Sequence, residues 1–148
     1  MWYSYDVTNG TAHGGFVLVD NHKIRLRESL ELITWSVGRG VETYQRTIGF
    51  HSSAASVDLL NIYLHQATLL DTSSDITHRR MGSERMLREA LPFDFPQKAP
   101  LIQFLCAVEA ARSRLCYGRP QAAAVVQESV TAFGELRRIF HDLGANED

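Results

Sequence analysis

The residues most suggestive of chemistry lie near the end of the chain, in "EAARSRLCYGRP". Arg112, Arg114 and Arg119 surround Cys116 and Tyr117, with Ser113 between the first two. Guanidinium groups bind phosphate bidentately, and a phenol adds a hydrogen bond. The stretch reads as the last turns of a helix, a break at Gly118 and a restart at Pro120. Its cluster reads as a catalytic remnant, an anion-binding corner or only a solvated helix end.

A second basic group, "THRRMGSERMLR", gathers His78, Arg79, Arg80, Arg85 and Arg88. It reads as a solvated face or, more sharply, as a contact with nucleic acid or an anionic partner. Arg46 and His51 in "RTIGFH" have the residue types for phosphodiester cleavage. The histidine would move a proton and the arginine would offset phosphorane charge. The pair is expected to straddle a helix end at Gly49, which leaves its geometry uncontrolled. Arg137 and Arg138 near His141 fit the negative end of a helix.

Other chemistries find little support. The six histidines form no i, i+3 or i, i+4 pair, and no His-Glu-x-x-His or cysteine-pair spacing occurs. No metal or cofactor is therefore expected, although a site assembled from distant helices remains open. There is no Gly-x-Ser-x-Gly, phosphate loop or dinucleotide fingerprint, so no catalytic residue is assigned.

The chain has 148 residues, 45% of them apolar and 22% charged, as for one globular domain. A formal net charge of -2 supplies no global field for nucleic acid, so any anion site must be local. No membrane span and no export signal are read, which predicts a cytoplasmic protein. Cys106 and Cys116 lie about 15 Å apart if helical, too far for a disulfide.

The elements that would position these residues are helical. Residues 1–22 are expected to form an irregular arm or short hairpin, with "GFVLVD" strand-like. From Lys23 a 3.6-residue period runs through Leu26, Leu30, Ile33, Val37, Val41, Tyr44 and Ile48, with Gly49 as a stop. Gly38 and Gly40 would weaken that helix or bend it. A second helix, capped by Ser52 or Ser53, is apolar on most sides, as befits a central helix. Ser83 caps a short third helix. Further helices start near Pro100 and Pro120, and Gly118 separates them. The predicted fold is all-α: an up-and-down bundle of four to five helices over residues 23–148.

This layout resembles the HEPN superfamily of prokaryotic toxin–antitoxin, defence and RNA-processing proteins. The resemblance covers about Lys23 to Leu143. It rests on a first helix running into "GFHSSAAS", the apolar "VDLLNIYLHQATLL", the polar "SDITHRR", a helix ending in "RSRLCYG" and a final amphipathic helix. HEPN ribonucleases share an Arg-x(4–6)-His motif at the end of the penultimate long helix. Arg112 stands at the motif arginine, Ser113 follows as the polar residue, and Tyr117 occupies the histidine position.

A tyrosine does not exchange protons near neutral pH as a histidine does. The resemblance therefore implies binding of RNA or a partner without efficient cleavage, with Arg112, Arg114 and Arg119 holding phosphate, Tyr117 orienting it and Ser113 as a polar accessory. It further implies a homodimer that pairs two motif helices. A minimal nucleotidyltransferase that modifies a tyrosine near the motif would be its partner. The alternatives are an active metal-independent endoribonuclease, with a histidine such as His78 replacing Tyr117, and a helical adaptor without a nucleic-acid role.

Overall fold

A computed structural model describes the backbone of residues 14–148 and the side chains from residue 19 onward. The described chain is all-helical: α1 (Gly14–Arg39), α2 (Gln45–Gln66), a 3-10 turn (His78–Gly82), α3 (Glu84–Ala90), α4 (Lys98–Tyr117) and α5 (Ala123–Asp142). The expected all-α bundle is present.

Several boundaries differ from expectation. The segment "GFVLVD" belongs to α1 rather than to a strand. A lone strand would leave its backbone groups unpaired, whereas helical pairing continues unbroken into the periodic segment. The bundle thus begins before Lys23, and the rest of the expected arm, residues 1–13, lies outside the described residues.

The break after α1 falls at Gly40, not Gly49. Gly40 has φ +136°, which a side chain rarely tolerates. Its N–H donates to the Ser36 carbonyl at 3.0 Å, and α2 restarts at Gln45. Gly49, Ser52 and Ser53 are buried inside α2, so neither serine is a cap. Gly49 serves instead as a point of close approach: a Cβ there would lie 2.8 Å from the Cβ of Leu115.

Ser83 does cap α3, accepting from the Met86 N–H at 3.1 Å. Helix α5 starts three residues beyond Pro120, at Ala123. A reciprocal amide pair anchors its approach: Gln121 N–H donates to Gln45 Oε1 at 2.8 Å, and Gln45 Nε2 donates back to the Gln121 carbonyl at 3.1 Å.

Helix α2 is central and packs on α1, α4 and α5. Pairings of His22 with Asp58 and of Ser29 with His51 make α1 antiparallel to α2. Ser53 with Glu109 and Gly49 with Leu115 do the same for α4. Leu59, Leu60, Ile62, Leu64, Leu101, Leu105, Leu136 and Phe140 fill the core. The face that α1 turns to α2 is mixed: Leu26 and Ile33 are buried, and so are His22, Ser29 and Ser36. A polar seam therefore runs through the α1–α2 contact, inside an otherwise apolar bundle. Among the described residues, no helix is long and apolar enough to cross a membrane.

Candidate functional site

Two places bring chemistry-bearing residues together. The first is the corner where the C-terminal end of α4 meets the start of α2. Gly49 lets α4 approach closely, so Cys116 Sγ reaches the Arg46 carbonyl at 3.4 Å. A depression of about 300 Å³ is lined by Arg46, Thr47, Phe50 and His51 of α2 and by Cys116 and Tyr117 of α4. Arg46 and His51 therefore lie on one continuous helix and line one site. The expected helix break between them is absent because the chain turns earlier, at Gly40.

Tyr117 is 76% exposed and Phe50 is also exposed. Ser113, Arg114 and Arg119 are exposed as well. Arg112 is not: its side chain is only 20% exposed. Its guanidinium lies over the Phe50 ring, 5.3 Å from the centroid. This cation–π contact presents Phe50 to solvent with a positive charge behind it.

Glu109 holds the other side of the corner. It accepts from Ser53 Oγ at 2.6 Å. Its second oxygen lies 3.4 Å from His78 Nδ1 and 3.9 Å from Arg112 Nη1. The two basic segments, remote in sequence, thus meet at one carboxylate. Arg79 and Arg80, both exposed, follow His78 on the 3-10 turn, which Met81 anchors in the core.

His51 Nδ1 lies 3.2 Å from Ser29 Oγ. Burial holds the His51 pKa below the ordinary imidazole value, against the opposing charge of Glu28. His51 is therefore a neutral imidazole at neutral pH, able to accept a proton. Burial pushes the Cys116 thiol above its usual pKa, although Arg112 and Arg46 pull the other way. Burial, reinforced by Glu84, also raises the Cys106 thiol. Neither cysteine is poised as a thiolate nucleophile.

The second place lies at the opposite end of the α1–α2 seam. His22 of α1 sits between two carboxylates: Nδ1 is 2.7 Å from Asp58 Oδ1, and Nε2 is 3.0 Å from Asp75 Oδ1. His65 Nε2 is 3.1 Å from the same Asp75 oxygen. Arg25 approaches Asp58 at 3.4 Å and His22 Nδ1 at 3.1 Å. Burial opposes charge on His22, but the hydrogen bonds and charges of Asp58 and Asp75 outweigh it and raise the pKa above the ordinary value.

Asp75 is held by its neighbour. The Ile76 N–H donates to Asn61 Oδ1 and the Ile76 carbonyl accepts from Asn61 Nδ2, both at 2.8 Å. The absence of close histidine pairs in sequence concealed this cluster, because its histidines lie 43 positions apart on different helices. A usable signal existed in the seven-residue recurrence of His22, Ser29 and Ser36 on the α1 stripe.

Compared with protein-family models, curated proteins and solved structures, the chain matches none.

Proposed function

We propose that this protein binds single-stranded RNA at the α2–α4 corner, as a HEPN-like helical protein without efficient nuclease activity. The observation that carries this reading is the shared depression of Arg46, His51 and Tyr117, flanked by exposed Phe50. Proteins that hold single strands combine basic side chains along the backbone with aromatic faces for the bases. Arg46, Arg114 and Arg119 would meet phosphates, and Tyr117 and Phe50 would stack on bases. Arg112 acts through Phe50 rather than on phosphate, which departs from the role that the family resemblance implies. Arg79 and Arg80 would extend the track past Glu109.

A homodimer pairing two such corners, and a nucleotidyltransferase acting on Tyr117, belong to the same reading. The high exposure of Tyr117 supports access by an enzyme.

One observation favours a second reading, that of a metal-independent endoribonuclease. Arg46 and the neutral imidazole of His51 line the same depression and provide charge stabilisation and a proton acceptor.

Fluorescence anisotropy with a labelled single-stranded RNA tests the binding reading. The double substitution Arg46→Ala and Arg114→Ala should weaken binding roughly tenfold and lower the salt slope by roughly 1.4. Unchanged affinity would overturn it and leave an adaptor role. Cleavage of the RNA that disappears in His51→Ala would instead establish the nuclease.

A further inference from the structure

The cluster at the other end of the seam plays no part in RNA binding as proposed. His22 and His65 have side chains only 4% and 2% exposed, and both direct Nε2 at a single oxygen of Asp75. The three donor atoms lie within 4.8 Å of one another. With bonds of about 2.0–2.1 Å, tetrahedral zinc holds neighbouring donors about 3.3 Å apart. The separations of 3.0 and 3.1 Å from the two nitrogens to Asp75 Oδ1 lie within a few tenths of an ångström of that spacing, and the two nitrogens lie within 4.8 Å of each other.

The surroundings of His22 match what such an ion requires. Asp58 Oδ1 lies 2.7 Å from His22 Nδ1, so it can hold a proton on that nitrogen and leave Nε2 for the ion once the Nε2 proton is displaced. A carboxylate behind a histidine in this manner orients a metal ligand and makes it more basic. Arg25 balances the charge of Asp58 from the solvent side. His65 Nδ1 is buried and has no hydrogen-bond partner, so the ring is fixed by packing and by the interaction at Nε2. The Asn61–Ile76 pair holds the connector that carries Asp75. Two imidazole nitrogens and one carboxylate suit zinc or a similar late first-row cation, not calcium or magnesium, which take oxygen ligands.

We propose that His22, His65 and Asp75 form a three-donor zinc site that ties α1, α2 and the connector after α2 together. Asp58 is the positioning residue, and the fourth coordination place belongs to water on the side where Asp75 is exposed. Binding displaces the proton that otherwise joins His22 Nε2 to Asp75, so zinc uptake releases protons to the buffer.

The full chain, freed of metal with a chelator and dialysed, is titrated with zinc by calorimetry and then melted. One ion per chain is expected, with a Tm rise of about 5–10 °C at a hundredfold excess over Kd. Cobalt in place of zinc should give the visible absorption of a four-coordinate ion. His65→Gln and Asp75→Asn should abolish all three signals. Asp58→Asn should keep the stoichiometry and weaken affinity about 10- to 100-fold. Asp75 is partly exposed, so Asp75→Asn keeps the test valid if His65→Gln fails to fold. Absence of binding, or binding that persists in Asp75→Asn, overturns the site.

Discussion

Gly49 of α2 faces Leu115 of α4 so closely that a methyl group on Gly49 would lie 2.8 Å from the Leu115 Cβ and 3.3 Å from Cys116 Sγ. Gly49 lies within α2 and Leu115 within α4, so a side chain at Gly49 requires the two helices to shift apart. Gly49→Ala should destabilise the protein by about 1–3 kcal/mol, the usual cost of overpacking, as read from urea unfolding. RNA affinity should fall with it, because the same contact seats Tyr117 beside Arg46. A stable variant with unchanged binding would show that the corner does not depend on this approach.

Asn61 replaces two secondary-structure hydrogen bonds for Ile76. Asn61→Ala would leave a buried N–H and carbonyl unpaired, at an expected cost of about 2–4 kcal/mol. Thermal melting checks this. Asp75 would also lose its fixed position, so zinc affinity should decline in the same variant.

Glu109 lies beside both His78 and Arg112. Glu109→Gln removes one negative charge from the basic corner and should strengthen RNA binding roughly threefold at low salt. Anisotropy at two salt concentrations measures it. An unchanged affinity would place the RNA elsewhere on the surface.

Tyr117 is assigned a stacking role rather than a proton-transfer role. Tyr117→Phe should bind RNA much as the parent does, while Tyr117→Ala should lose about 1–3 kcal/mol of binding. Equal losses in both variants would assign the contribution to the hydroxyl.

Burial works against the charge on Glu147, but Arg137 and His141 outweigh it and hold its pKa below the ordinary carboxylate value. A lowered folded pKa contributes stability above the unfolded pKa of about 4.3. That contribution is lost as pH falls through the lower folded value. Arg137 is 40% exposed, so screening limits the effect to about 1 kcal/mol. Glu147→Gln should therefore be less stable than the parent at neutral pH, and equal to it near pH 2. Urea midpoints across that range provide the check.

The bundle was legible because α4 and α5 carry clear apolar stripes and conventional stops. The start of α2 was not. Ile48 continues the α1 stripe across the break, so periodicity alone joined two helices that Gly40 separates. Only the positive φ of Gly40, which sequence does not display, distinguishes it from Gly49. The corner residues Arg114, Tyr117 and Arg119 stand out in the sequence by their types. The convergence of Arg46 and His51 on them depended on the misplaced break. Of the His22–His65–Asp75 cluster the sequence displays only the polar stripe that carries His22: His65 and Asp75 are ordinary in their own segments, and the antiparallel pairing of α1 with α2 creates the relationship.

The central placement of α2, packed on α1, α4 and α5, also sets a hierarchy of opening motions. Its amides from Leu59 to Leu64 lie under side chains supplied by every long helix, so they can meet solvent only when the whole bundle comes apart. Their hydrogen–deuterium exchange should follow the global unfolding free energy. Amides of the seven-residue α3, which packs on α4 and the 3-10 turn, should exchange through smaller, local openings.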